Sequence, residues 1–226
     1  MKIVIAGAGR GGLNLAVYLQ TRGHSVVVLE RDAQVVKQAS EAHGIVMLAG
    51  DATDATVLKQ AEPDRADAVL AMLYRDADNL GCALLARTLG AKRVLVRMRD
   101  PGYRGVYTAA GIHEILSETE ILVGALGIAI EFDAVRHSMV LGTGTGETIA
   151  FEMTIPEGAW VVGKTLGEIA QANVLPASCV VAGMSHDGKL ETPRGGSTFE
   201  AGMHVLLVSA RDDLAAAIDL FRRADR

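Results

Sequence analysis

The residues best placed to do chemistry lie near the amino terminus. Gly7-Ala8-Gly9-Arg10-Gly11-Gly12 fits the pattern G-x-G-x-x-G, directly after the apolar run Ile3–Ala6 and directly before a helical stretch. In that setting the first glycine permits a tight turn, the second lets the backbone approach a pyrophosphate, and the third lets helix and strand pack closely. Free N–H groups and the positive dipole end of the helix then receive phosphate oxygens. Glu30 follows about twenty residues later, at the end of the second apolar run, where a carboxylate accepts hydrogen bonds from ribose 2′- and 3′-hydroxyls. Nucleotide binding is the reading this context supports; a glycine turn kept only for packing is the alternative. Glu30 would repel a 2′-phosphate and so argues against NADP, an argument that the adjacent Arg31 weakens without reversing. Arg10 is in position to set a guanidinium over an additional phosphate, with a solvated arginine as the plainer reading. Asp32 reads as the N-cap of the next helix.

Other chemistry finds little support. Tyr18, Tyr74, Tyr103 and Tyr107 each lack a lysine four residues later, so no Tyr-x-x-x-Lys pair offers a proton donor to a nicotinamide. His24, His43, His113, His137, His186 and His204 are scattered without metal-ligand spacing, and His137, near the junction of the two halves, reads as structural. Ser138, Ser178 and Ser185 lack the glycines of a nucleophile elbow. Cys82 and Cys179 have no Cys or His at metal-ligand spacing, which excludes a disulfide scaffold and points to a reducing compartment. The chain therefore reads as no enzyme and as holding no metal, with an NAD(H)-dependent oxidoreductase as the alternative.

Composition agrees. Of 226 residues, 50% are hydrophobic, 22% charged and only 4% aromatic, with 25 glycines, so the core must be built from small and β-branched side chains. Such residues suit buried parallel strands flanked by closely packed helices. A net charge of −5 gives no general basic field for nucleic acid or anionic lipid. The run Ile121–Ile130 is about half of what a membrane span needs, and Met1–Gly12 reads as a strand entering a turn rather than a signal peptide. A cytoplasmic protein is the expectation.

The elements that must position these residues follow from periodicity. Ile3–Ala6, Val26–Leu29, Val46–Ala49, Ala68–Leu73, Val94–Val96 and Glu114–Leu116 read as strands, and Leu13–Arg22, Gln34–His43, Ala55–Ala61, Ala77–Leu89 and Tyr103–Ala110 as helices. Solid strands alternating with helices predict right-handed crossovers and a doubly wound parallel α/β sheet. Gly23, Gly44, Gly90 and Gly111 sit where helices should end.

One long helical pattern then runs from Glu118 to Ser138, apolar around nearly the whole cylinder. It reads either as a core helix within the monomer or as a helix packed partly against a second subunit. Past the Gly142–Gly146 stretch, strands are expected at Ile149–Ile155, Val180–Ser185 and Val205–Ser209, and helices at Leu166–Gln171 and Leu214–Arg222. Turn signals at Pro156-Glu157-Gly158, Asp187-Gly188 and Pro193-Arg194-Gly195-Gly196 separate them, giving a small α+β subdomain. The expected division is 1–136, including a linking helix 118–136, and 137–226.

Further motifs accompany the glycine turn: Gly50-Asp51-Ala52-Thr53, Ala66-Asp67-Ala68-Val69-Leu70, Asp78-Asn79-Leu80, Ala91-Lys92-Arg93-Val94 with Arg97, and Asp100-Pro101-Gly102-Tyr103. In the second half stand Ile155-Pro156-Glu157-Gly158, Val162-Gly163-Lys164-Thr165-Leu166, His186-Asp187-Gly188 and Thr192-Pro193-Arg194-Gly195. This succession resembles the RCK (regulator of potassium conductance) domains of Trk- and Ktr-type potassium uptake systems, over essentially the whole chain.

The resemblance implies a cytoplasmic subunit, peripheral to the membrane, that forms homodimers and then an octameric ring beneath a membrane potassium-transporting subunit. Exchange of NAD(H) or ATP/ADP, one adenine nucleotide per Rossmann half, would reshape the ring and gate the pore. By position, Gly7, Gly9, Arg10 and Gly12 would hold phosphates, Glu30 the ribose, and Asp51 and Ala52 would flank the adenine. Arg97 and Glu118 would lie toward the dimer's shared phosphate side. Arg10 matches the arginine that reads a terminal phosphate in ATP-binding members. Glu118 falls where some members place a divalent-cation ligand, although one carboxylate defines no metal site and an exposed helix-start glutamate is the plainer reading. Two departures, Trp160 at a position usually small and polar and Met203 in place of an acidic turn residue, leave open whether the second half binds cyclic di-AMP. A nucleotide or redox sensor of another cation transporter, such as a cation–proton antiporter, is the remaining alternative.

Overall fold

A computed structural model describes residues 1–142, 147–186 and 188–224, so most of the Gly142–Gly146 stretch and Asp187 of the expected Asp187-Gly188 turn lie outside the described residues. The chain divides into two compact units, Met1–Glu120 and Ile121–Arg226.

In the first unit, strands β1 (Lys2–Ala6), β2 (Ser25–Glu30), β3 (Val46–Ala49), β4 (Ala68–Ala71), β5 (Val94–Met98) and β6 (Glu114–Ser117) pair in parallel. Their order is β3-β2-β1-β4-β5-β6. Helices α1 (Arg10–Thr21), α2 (Ala33–His43), α3 (Ala55–Gln60), α4 (Asp76–Thr88) and α5 (Arg104–Ala109) connect them. The doubly wound fold expected from the alternating pattern is present, with element ends within a few residues of those read from periodicity. Both sheet faces are covered: Val4 and Ala6 join one cluster, Ile3 and Ile5 the other. That two-sided burial is why the strands read as solid apolar runs rather than as alternating ones. Small residues of the helices, among them Ala16, Ala83 and Ala86, are fully buried and let backbone approach backbone where larger side chains would not fit. Asp32 caps α2 as expected, accepting hydrogen bonds from the backbone N–H groups of Gln34 and Val35.

The order places a reversal between β1 and β4, from which the chain winds outward in both directions. Loops at the carboxyl ends of two such strands part there and leave a crevice, the general ligand position of open α/β sheets.

The long helix ends earlier than the sequence pattern suggests. Helix α6 spans Glu118–Glu131, and the expected linking helix 118–136 is corrected accordingly: Val135–Leu141 is a strand, β7. Asp133 follows the helix end, the Val135 N–H turns back to the Phe132 carbonyl, and the β-branched Val135 and Val140 enter a sheet ladder. Pairing with a neighbouring strand outweighs helical periodicity, which continues through this segment without the hydrogen bonds to realise it. Strand β7 pairs with β8 (Thr148–Thr154) in an antiparallel sheet that also contains β9 (Val180–His186), β10 (Lys189–Glu191) and β11 (His204–Ala210), ordered β10-β9-β11-β8-β7. The short β10, like β7, carried no clear sequence signal.

Helices α7 (Leu166–Gln171) and α8 (Leu214–Arg222) have the expected bounds. Thr165 and Glu168 form a reciprocal capping box at the start of α7, which satisfies two otherwise orphan N–H groups. One core fills this unit, with Phe151, Phe199 and Phe221 fully buried and the last two rings edge to face at 5.4 Å. Ile128 is the one buried residue described on α6, while Ile121, Leu122, Val123, Leu126 and Ile130 are exposed, Ile130 by 83%. Among the described residues, no helix is long and apolar enough to cross a membrane.

Replacing Phe151 by Ala should destabilise the second unit by about 3–5 kcal/mol through the cavity it leaves. The outward-facing Met139→Ala should change stability by less than about 0.5 kcal/mol. Denaturant unfolding followed by hydrogen exchange within residues 147–224 checks both.

Candidate functional site

The glycine turn sits at the reversal of the sheet, between the ends of β1 and β4. Gly7 has φ +107°, and a Cβ on it would lie 2.8 Å from the Met72 carbonyl oxygen after β4. A Cβ on Gly12 would lie 2.0 Å from the Gly7 carbonyl oxygen, inside any tolerable contact. Both glycines are therefore required by the chain itself. Gly9 differs: nothing lies within 4 Å of where its Cβ would be, so a side chain there would intrude only on what enters the crevice.

Helix α1 begins with its donors free. Gly9 at the N-cap offers no side-chain cap and the first turn carries no acidic residue. The first helical bond runs from Leu13 N–H to the Gly9 carbonyl, and the N–H groups of Gly9, Arg10, Gly11 and Gly12 have no partner among the described residues. Four free donors at the positive end of a helix dipole form a receptor for an anion. Arg10 is exposed at the first helical position and forms no hydrogen bond or ion pair among the described residues.

Glu30 is brought to this turn. One carboxylate oxygen accepts a hydrogen bond from Ala8 N–H at 2.9 Å, the other from Asp32 N–H at 3.0 Å. It thus secures the turn while each oxygen keeps lone-pair capacity for a further donor. The end of β3 joins through Gly50 N–H, which bonds the Glu30 carbonyl. Asp51 is exposed; hydrogen bonds from the Thr53 hydroxyl and backbone N–H hold its carboxyl below the usual range. Ala52 is fully buried in the core, so its methyl group packs inward and only its backbone remains to face a ligand.

Arg97, at the end of β5, closes the row on the other side. It donates to the Leu73 carbonyl at 2.8 Å and to Glu118 at 3.2 Å, while its buried Nε has no partner. Glu118 also lies 3.9 Å from Arg99, so its carboxylate is held between two guanidinium groups. No group of three metal-ligating side chains occurs among the described residues. The eight expected residues thus lie at the carboxyl ends of β3, β2, β1 and β5.

The sequence reading missed the residues that hold this succession in place. Asn79 is fully buried in α4; its amide oxygen accepts from Leu73 N–H, and its amide nitrogen donates to the carbonyls of Leu73 and Arg97. Asp76 accepts from the N–H groups of Arg99 and Asp100 and from the Tyr107 hydroxyl. Burial, and next the charge of Asp76, drive the Tyr107 phenol well above its ordinary pKa, so it stays protonated and donating. The available signal was spacing: 76, 79, 83 and 86 form one buried helical face, on which Asp and Asn are polar exceptions needing partners. Cys82 is buried beside them and its thiol is pushed up to about 12 by burial, which leaves it unreactive.

The two departures in the second unit have structural occupations. The Trp160 ring is flanked by Lys164 at 4.4 Å and Arg223 at 4.3 Å, and the backbone N–H of Trp160 donates to the Arg223 carbonyl. Met203 is buried in the core, where an acidic residue would carry an unpaired charge.

Comparison with known proteins gives a consistent result. Residues 3–118 match the TrkA-N domain and residues 150–222 the TrkA-C domain. The Trk system potassium uptake protein TrkA homolog of Archaeoglobus fulgidus is 32% identical across 98% of this chain, which spans 50% of that protein. The homolog of Methanothermobacter thermautotrophicus is 26% identical, across 98% of this chain and 99% of its own length. Among solved structures, the GsuK channel bound to NAD superposes on the whole chain with a TM-score of 0.67 at 23% identity, the chain covering 40% of it, a likeness that bears on the fold. GsuK bound to ADP matches 56% of the chain, which covers 34% of it, at a TM-score of 0.50 and 26% identity.

Gly12→Ala should destabilise the first unit by about 1–3 kcal/mol, because the added methyl must displace the Gly7 carbonyl. Gly9→Ala should leave stability within about 1 kcal/mol, the cost of the residue change alone. Thermal unfolding of the two variants side by side checks the contrast.

Proposed function

The chain belongs to the TrkA family of RCK-domain proteins, and on that premise we propose that it is a nucleotide-binding regulatory subunit of a membrane potassium transporter. The observation that carries the reading is the set of four unpartnered N–H donors at Gly9–Gly12, with open space at Gly9 and the Glu30 carboxylate beside them. These residues fit an adenine nucleotide, NAD(H) or ATP/ADP, one per first unit. The glycine turn (Gly7, Gly9, Arg10, Gly12) holds the phosphates and Glu30 the ribose hydroxyls. The adenine lies against Asp51 and the backbone of Ala52, and Arg97 faces the far phosphate side. The GsuK neighbours bound to NAD and to ADP support this ligand class.

The mode of action is a population shift and not turnover. A bound nucleotide moves a two-state assembly only by its differential affinity for the two states, and about 1–3 kcal/mol per site is ordinary allosteric coupling. The Arg97–Glu118 hydrogen bond supports this reading, since an anion near Arg97 would compete with Glu118 at the start of α6. The functional boundary on this reading falls at 136/137, so that α6 acts as the arm of the nucleotide-binding half. Its exposed apolar residues support a homodimer through this helix, on the way to an octameric ring. The assembly is cytoplasmic and held at the membrane by its transporter.

Two results test the proposal. In cells lacking the protein, potassium uptake should be restored by the wild-type chain. Gly9→Asp, which sets a carboxylate in the phosphate position without a clash in the chain, should not restore it; restoration by both would refute the nucleotide's role. Glu at both Leu122 and Leu126 should lower the sedimentation mass by placing unpaired charges in the dimer contact. An unchanged mass would remove α6 from the interface.

A further inference from the structure

The antiparallel sheet of the second unit is packed on one face only. Phe151, Met153, Val205 and Leu207 point into the core, so their strand neighbours point the other way. Register sets those neighbours in rows. Met139, Ala150, Val208 and Val180 form one row across four strands, wholly apolar. The next row is His137, Glu152, Leu206 and Gly183, and beyond it lie Thr154, His204, Ser185 and Leu190. Exposure is 63% for Met139, 59% for Val180 and 73% for Leu190. A sheet face of this composition normally covers itself with another element.

Three observations give the missing element a chemistry. Residues 1–120 carry 14 basic and 14 acidic side chains, residues 121–226 carry 8 and 13, so the entire net charge of −5 belongs to the second unit. Glu152 puts a carboxylate in the middle of the apolar face, flanked by the Nδ1 atoms of His204 at 3.2 Å and His137 at 3.3 Å. Beside it is a cavity of about 230 Å³ lined by Leu190, Leu206, Glu152, His204 and Ser185, with the two leucine side chains against Gly183. The Ser185 hydroxyl has no hydrogen-bond partner among the described residues. The cavity suits one long side chain with an apolar stem and a donor head, the description of lysine or arginine.

We propose that this open face docks a basic amphipathic segment of a partner protein, its apolar side on the Met139–Val180 row and one cationic side chain in the cavity at Glu152. Such segments are what the Lys/Arg excess of cytoplasmic membrane-protein loops supplies. The inference does not depend on the nucleotide, so the two can fail separately.

The test uses the full chain and two synthetic helical peptides, one of Leu and Lys with an apolar stripe and one with Glu replacing each Lys. Fluorescence anisotropy gives affinity, and hydrogen exchange locates the contact. The Leu/Lys peptide should bind and protect β7, β8, β9 and β11, and the Leu/Glu peptide should not. Affinity should fall about tenfold in the exposed double variant Val180→Ser, Leu206→Ser and several-fold in Glu152→Gln. Glu157→Gln, a turn residue away from this face, should leave it unchanged. Equal loss in Glu152→Gln and Glu157→Gln would mean general charge attraction and overturn the proposal. A lower sedimentation mass of the double variant would also overturn it, by putting a second copy on the face. Circular dichroism of each variant confirms that it folds.

Discussion

A single close approach organises the first unit: the Gly7 carbonyl lies where a Cβ on Gly12 would be, and Gly7 itself lies against the end of β4. With side chains at either position, α1 could not begin directly beneath β1, and its first N–H groups would not open onto the reversal of the sheet. The same constraint leaves α1 without a side-chain cap, so the helix start is unsatisfied by the chain. An exposed helix start is a modest cost when water can solvate it, and it is the feature that lets the crevice take an anion.

Around that approach the neighbouring loops are fixed by buried and half-buried polar groups. Glu30 ties the turn to the end of β2, Asn79 ties the ends of β4 and β5 together, and Asp76 with Tyr107 holds the loop after β5. Each carries hydrogen bonds that would leave partly buried backbone groups unpaired if lost, at about 1–3 kcal/mol per group. The crevice is thus preorganised on its sheet side. The Arg97–Glu118 pair connects the row of site residues to the start of α6.

Much of this was legible in the sequence, for physical reasons. Two-sided burial makes parallel strands solid apolar runs, and the glycine spacing reports a steric requirement that no other residue meets. Glu30 was found because its distance along the chain is set by one helix and one strand. Asn79 and Asp76 were not, since their partners are backbone groups from loops remote in sequence. The end of α6 was misread because Arg136 to Leu141 has no breaker and the ladder to β8 is a non-local interaction. The open face of the second sheet was invisible for the same reason: Met139, Ala150, Val208 and Val180 become neighbours only through register.

The central claim is that the glycine turn takes an adenine nucleotide whose ribose meets Glu30. Calorimetric titration of the purified chain with NADH, ATP and NADPH measures this directly. Saturable binding of NADH or ATP at one per chain, with NADPH much weaker because its 2′-phosphate meets the Glu30 carboxylate, is the predicted result. Absence of heat with every nucleotide, or NADPH binding as tightly as NADH, would contradict it.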